Sequence, residues 1–367
     1  MTIEDLALYF TKGIGSIGAA HLVEYFGSAE RIFSASLSEL IEGAGLRDDL
    51  AKRIIAQEGM SNAECEIKYC QKHDIRTIAA TDDEYPEPLR ATADRPHVLF
   101  VQGNVDALCK QTLAMVGTRE VSPSGVHICN QLIAALASEA HDLCIVSGLA
   151  YGTDSACHRA ALANNVCTVA VVPSSLPKII PTAHETLARE ILKAGGAIVS
   201  ELSSQTRNNG AHFISRNRII AGMSLGTVIV ESPASGGSLS TADIADSYNR
   251  TVMAVPGRIT DTTSFGTNNL IRSGKARLVL TADDIIEDVG LCRSTNIAES
   301  NDTNQPDIEL SEQERLVVEA MRSQAIVEWS DLLNATALSM GELSMVVMDL
   351  EFKGVIRALP GKRYEVI

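Results

Sequence analysis

The stretch TLAMVGTREVSPSG, Thr112 to Gly125, decides the fold. An apolar run stops at Gly117-Thr118-Arg119, and Ser122, Pro123 and Gly125 then open a helix. Serine at an N-cap with proline at the next position is a helix start signal. An apolar run without polar alternation is a strand buried on both faces, the kind found in parallel sheets covered by helices. The cadence recurs in CIVSG (144–148), CTVAVV (167–172), AIVSE (197–201), GTVIVES (226–232), TVMAVPG (251–257) and ARLVL (276–280). A helical segment separates each from the next. Residues 76–290 are therefore expected to form an α/β core, a Rossmann-like doubly wound and mostly parallel sheet. IRTIAA (75–80) and HVLFVQG (97–103) are candidates for added edge strands.

The flanks read differently. Residues 1–75 carry helical periodicity broken by glycine, in LALYF, GIGSIG, AAHLVEYFG, SLSELIEGAGL and AKRIIA. GIGSIG, Gly13 to Gly18, satisfies G-x-G-x-x-G, but a dinucleotide fingerprint must follow a strand and open a helix within a βαβ unit. Here helical LALYF precedes it, so the expectation is a small helix-hairpin-helix or SAM-like domain and no nucleotide cofactor. GAGL, Gly43 to Leu46, looks like a weaker second copy. Such hairpins offer backbone N–H groups to DNA phosphates, while Glu4, Asp5, Glu24 and Glu30 nearby suit packing or a partner equally well.

Residues 291–308 are polar and Pro-containing, and read as a linker. In 309–367, Ser311 with Glu314 and Ser339 with Glu342 have capping-box spacing. Leu343, Val346, Val347 and Leu350 share one helix face that ends near Gly354, and VIRALPGKRYEVI reads as a hairpin. This is a winged-helix pattern. Its recognition helix, MGELSMVVMDLEFK, holds three acids and only Lys353 as a base. Major-groove reading uses Arg, Lys, Asn or Gln, so a protein-contact or regulatory role is expected, with Lys362 and Arg363 the remaining phosphate contacts.

Apolar residues make up 45% and charged ones 21% of 367, as in ordinary globular chains. No apolar run reaches the roughly 18 residues of a membrane span and no signal peptide opens the chain, so a cytoplasmic protein is expected. The cysteines at 65, 70, 109, 129, 144, 157, 167 and 292 form no C-x-x-C, and no metal site is expected. The net charge of −15 argues against indiscriminate nucleic-acid binding. Between Arg207 and Arg277, however, eight bases face four acids, a local +4.

Ligands of open α/β sheets bind beyond the carboxyl ends of strands. Four loops stand there. Gly117, Thr118 and Arg119, with Ser122 and Gly125, pair backbone N–H groups at a helix start with a bidentate guanidinium, a set suited to phosphate. In VSGLAYGTDSACHRAAL (146–162), Gly148 and Gly152 permit close approach; Asp154 and His158 share a helix face, read as a cap and its contact or as an acid–base pair. In HFISRNRIIAGMS (212–224), Phe213, Arg216, Asn217 and Arg218 combine guanidiniums, an amide and an aromatic face, which suits phosphodiesters and stacked bases. In IVESPASGGSLSTADIA (229–245), Glu231 ends a strand and Gly237, Ser238 and Thr241 begin a helix without the Walker ending. There is no G-x-S-x-G, no zincin pair and no carboxylate cluster. Phosphate binding without a nucleophile, base or metal favours a nucleic-acid binder over an enzyme.

MVGTREVSPSG, GLAYGTDSACHRAAL, FISRNRIIAGMS, SGGSLSTADIA and VMAVPGRITDTTSFGTNNLI follow in the order found in the DNA-processing protein A family (DprA, also called Smf), which this chain resembles closely over about 100–290. The resemblance implies a homodimer that binds and protects single-stranded DNA and loads the recombinase RecA during natural transformation. It implies that Arg119, Phe213, Arg216, Asn217 and Arg218 line the DNA groove, with Gly117, Gly148, Gly237 and Ser238 as backbone donors. PSSLPKIIPTAH (173–184) and Phe213-Ile214 depart from the family's usual sequence. Two other readings remain open. One is a nucleotide-processing enzyme like the lysine-decarboxylase-like phosphoribohydrolases, kept alive by Glu231 before Gly236-Gly237. The other is a repressor acting through the winged helix.

Overall fold

The computed structural model describes residues 1–293 except 208, and 311–366 except 322–326, 337, 354–355 and 360–362. Most of the expected linker, with Gly354, Lys362 and the side chain of Arg363, lies outside the described residues. Two compact units are present, Met1–Thr295 and Asn296–Ile367.

Nine strands form the sheet of the first unit: β1 (Arg76–Ala79), β2 (Val98–Gly103), β3 (Gln111–Val116), β4 (Leu143–Ser147), β5 (Cys167–Val171), β6 (Ala197–Ser200), β7 (Gly226–Ile229), β8 (Thr251–Ala254) and β9 (Arg277–Leu278). Their order is β1-β2-β6-β5-β4-β3-β7-β8-β9. From β6 across to β9 every pair is parallel. The two early runs, β1 and β2, are indeed strands and extend the sheet antiparallel at one edge. The apolar runs are buried on both faces. Ala114, Val116, Val146, Val171 and Ile229 face one layer, and Leu113, Met115, Ile145 and Val228 the other. The doubly wound α/β fold is thus present.

The chain winds outward from β3 through β4 and β5 to β6, then returns to place β7 on the other side of β3. The connections leaving β3 and β7 therefore diverge, and a crevice opens between them, as at the switch point of any doubly wound sheet.

The front helices belong to the same unit as the sheet. Helix Ile3–Phe10 starts with a capping box between Thr2 and Asp5. Gly13, at φ +95°, makes the turn that a side chain would strain, and helix Ser16–Phe26 begins after Gly15 without a side-chain cap. GAGL opens no helix: it closes the π-turn Glu39–Gly43, and the next helix starts at Asp48. Leu8, Leu22, Ile32, Leu40 and Ile54 form a local core, while Leu6, Ala7 and Ala63 pack with Phe100 and Ile198 of the sheet. These helices also grip the segment after β6. The Tyr9 hydroxyl donates to the Glu201 carbonyl at 3.0 Å and accepts from the Ser203 N–H at 3.1 Å. The Ser204 N–H and O–H donate to the two oxygens of Glu66 at 2.7 and 2.6 Å.

The second unit has helices Glu312–Met321, Trp329–Thr336 and Met340–Phe352. Strand Arg363–Val366 pairs antiparallel with both Val327–Glu328 and Ile356–Leu359, a winged-helix arrangement. Both capping boxes form. The apolar face of the third helix, Leu343, Val346, Val347 and Leu350, packs with Val317, Leu332 and Ile356.

Candidate nucleic-acid interface

The crevice at the switch point is a cleft of about 420 Å³. Its walls are Gly117, Thr118 and Arg119 after β3, helix Ala211–Gly222 on the opposite side, and the loop after β7 that runs into helix Gly237–Ser247. Of the expected site residues it brings together Gly117, Thr118, Arg119, Asp154, Phe213, Arg216, Asn217, Gly237, Ser238 and Thr241. Gly236 and Ile214, both noted in the sequence, also line it, as do Glu120 and Ser235, which no motif singled out.

The rim carries an aromatic ring and a guanidinium. The Arg119 guanidinium lies over the Phe213 ring, 5.4 Å from its centroid. Such a pair presents a flat, cationic surface. Phe213 and Asn217 lie one helical turn apart and so share a face of their helix. Asn217 Nδ2 donates to the Gly237 carbonyl at 3.4 Å, which ties that face to the opposing loop. Helix Gly237–Ser247 has no side-chain cap. Its first N–H groups are left for a ligand, and the helix dipole favours an anion there. The Ser238 hydroxyl donates inward to Ser232 Oγ at 2.9 Å, and that of Thr241 to the Gly237 carbonyl at 3.4 Å.

The floor is a buried charged layer. Arg216 is only 5% exposed, and its Nη1 stands 4.0 Å from Asp154 Oδ2. Its Nε has no hydrogen-bond partner. Burial pushes the arginine's pKa down and that of Asp154 up, each opposed by the attraction of the other. Asp154 does not cap its helix, whose N-cap is Gly152; its carboxylate accepts from the N–H of Ala150 at 3.3 Å. Gly148 is not among the residues lining the cleft. Its missing side chain matters instead, because a Cβ there would lie 1.5 Å from Arg216 Nη1.

His158 lies beneath this layer, fully buried. The Thr168 hydroxyl donates to the Ile145 carbonyl at 2.8 Å, so its oxygen accepts from His158 Nδ1–H at 2.7 Å. Nε2 is then an unpartnered lone pair. Burial, then the charge of Arg216, holds the pKa down to about 3, so the ring is a neutral packing element. Asp154 and His158 form no acid–base pair.

Several expected ligand residues act behind the cleft instead of in it. Ser122 caps helix Pro123–Glu139 by accepting from the Gly125 N–H at 3.0 Å. Its own N–H and O–H donate to the Glu231 carboxylate at 2.9 and 2.5 Å. Glu231 also fills the space that a Cβ on Gly125 would need, and its carbonyl accepts from the Thr118 N–H at 2.8 Å. Gly152, at φ +77°, lets the Thr118 carbonyl approach and accept from the Thr153 N–H at 3.0 Å. The loops after β3, β4 and β7 are thereby stitched together.

Arg218 is placed away from the cleft. It donates to the Asp94 carbonyl at 2.6 Å and pairs with Glu201. Much of the positive window is likewise spent: Lys275 pairs with Asp243, Arg277 with Asp288, and Arg250 donates to the Pro88 carbonyl. Among the described residues no group of three or more His, Cys, Asp or Glu is placed to hold a metal ion, and no helix is long and apolar enough to cross a membrane.

A family model described as "DNA recombination-mediator protein A" matches residues 76–290, and one described as "DprA winged helix domain" matches 301–362. The Protein Smf of Escherichia coli is 33% identical, over 88% of this chain and 85% of its own. The DNA processing protein DprA of Streptococcus pneumoniae is 38% identical over 57% of this chain and 73% of its own. The X-ray structure of DNA processing protein A from S. pneumoniae superposes with a TM-score of 0.68 at 30% identity, covering 78% of this chain and 98% of that one. A structure of the Helicobacter pylori protein, described as giving its single-stranded DNA binding mode, superposes with a TM-score of 0.51 at 27% identity over 58% of this chain and 94% of that one. With a family model covering more than half its length and a relative above 30% identity over most of both chains, this chain belongs to the DNA processing protein A family.

Proposed function

We propose that the switch-point cleft binds single-stranded DNA and that the protein is a non-enzymatic recombination mediator. The observation that carries this is the Arg119–Phe213 pair on the rim of a cleft whose inner wall is an uncapped helix start. A phosphate fits the N–H groups at Gly237 and Ser238, and an unpaired base fits the flat Phe213–Arg119 surface; a duplex offers its bases only at their edges. Supporting the DNA reading over the hydrolase, Glu231 is held by Ser122 behind the cleft, and Asp154 is buried against Arg216. Neither is free to take a proton from a nucleotide. The H. pylori relative, described by its single-stranded DNA binding mode, supports the same ligand.

We further propose, on the resemblance to this family, a homodimer in the cytoplasm that loads recombinase RecA onto incoming strands in natural transformation. Fluorescence anisotropy with matched single- and double-stranded oligonucleotides, over a salt series, tests the first step. The expected result is a single-strand preference and a log–log salt slope of about −0.7 per phosphate contact. Nucleoside monophosphate turnover without DNA affinity would instead establish the hydrolase. Light scattering reads the dimer, and RecA-driven strand exchange on protein-coated DNA reads loading.

A further inference from the structure

The third helix of the winged unit, Met340–Phe352, buries Leu343, Val346, Val347 and Leu350 and turns a second apolar surface to solvent. Met340, Met345 and Met348 are each about two-thirds exposed or more, at 67%, 69% and 73%. On a helical projection Gly341, Ser344, Met345 and Met348 fall together at the centre of the outward face. Glu351 and Met340 lie along one edge of it, and Glu342 and Asp349 along the other. Space beside Gly341 is open, with nothing within 4 Å of where a Cβ would stand. The face is therefore a row of flexible thioethers beside a shallow notch, with carboxylates on both sides.

This is the helix that a DNA-reading winged helix would insert into the major groove. Its outward face carries no Arg, Lys, Asn or Gln, and Lys353 at its end is engaged by Glu314 at 2.8 Å. Three acids would meet the phosphates. Burying a solvent-facing methionine row is favourable, and methionine adapts to a partner's relief better than branched side chains do. The flanking carboxylates choose the partner's charge.

We propose that this face docks an amphipathic helix of a partner protein, apolar along one stripe and lysine- or arginine-rich beside it. The two acidic edges complement the basic flanks, while Gly341 and Ser344 let the partner backbone come close. The proposal does not depend on the single-strand reading of the switch-point cleft, and its failure would leave that reading untouched.

The test uses the full chain labelled with 13C at the methionine methyls, with Met340, Met345 and Met348 assigned by single Met→Leu variants. The probes are two designed peptides of about 18 residues, roughly five helical turns, sharing one leucine stripe. One is flanked by lysine and the other by glutamate. The expected result is saturable shifts of the Met345 and Met348 methyls with the lysine peptide, and affinity for the glutamate peptide weaker by about tenfold or more. Asp349→Asn with Glu351→Gln is expected to remove most of that difference, and Met348→Gln to weaken binding of the lysine peptide. Both substituted surfaces are exposed and leave the core intact. Equal affinity for the two peptides, no shift with either, or movement of these methyls by duplex or single-stranded DNA overturns the proposal.

Discussion

The Arg216 guanidinium occupies the space where a side chain on Gly148 would begin: a Cβ there would lie 1.5 Å from Nη1. The glycine at the end of β4 is thus the slot for the cation under the cleft. Gly148→Ala must displace Arg216 or shift the strand end, and overpacking of this kind costs about 1–3 kcal/mol. Thermal unfolding is expected to show that loss, and the double variant Gly148→Ala/Arg216→Ala to recover part of it. A Gly148→Ala protein as stable as the parent, with unchanged DNA affinity, would place Arg216 elsewhere.

Phe213→Ala and Arg119→Ala separate stacking from charge. Loss of the ring is expected to cost single-strand affinity about 1–3 kcal/mol, with the salt slope unchanged. Loss of the guanidinium should weaken binding to all sequences and flatten the slope by about 0.7 if one phosphate contact disappears. Identical effects of the two substitutions on the slope would contradict this division of labour.

His158 makes stability depend on pH. Its pKa falls from 6.5 to about 3 on folding, so between those values the unfolded chain holds the proton and the folded chain does not. Its contribution is complete above pH 6.5 and is lost as pH falls, by about 1.4 kcal/mol per unit within the window. Denaturant unfolding of the parent and His158→Gln at several pH values reads the difference. Parallel profiles would show that the imidazole is not buried as a neutral ring.

Glu66→Ala removes both acceptors for the half-buried N–H and hydroxyl of Ser204, at a cost of about 0.5–1.5 kcal/mol per hydrogen bond. Faster hydrogen exchange at Ser203 and Ser204 is expected, together with weaker single-strand binding, since this segment leads into helix Ala211–Gly222. Unchanged exchange at those amides would mean that the front helices do not hold the segment.

The strand-turn-helix at Thr112–Gly125 and the repeating apolar runs made the sheet legible, because burial on both faces leaves a pattern along the chain. The cleft's residue types were legible for the same reason, since loops at strand ends share one edge. What periodicity does not show is which way a side chain leaves a helix relative to distant acids. Arg216 and Arg218 are two positions apart and therefore leave on different faces. Arg216 meets the cleft, whereas Arg218 meets Glu201 and Asp94, the latter 124 positions away. Glu231 was ambiguous for a similar reason: its partner Ser122 lies 109 positions earlier. Helix-cap chemistry did identify Ser122, but as a cap and not as the ligand contact expected of it.

The contact between Glu66 and Ser204 spans 138 positions. During synthesis Glu66 leaves the ribosome long before the segment after β6 exists, so this contact can close only once β6 has been made. The first helices thus brace a wall of the cleft that is made after them. A circular permutant that moved them to the carboxyl end would reverse that order of synthesis.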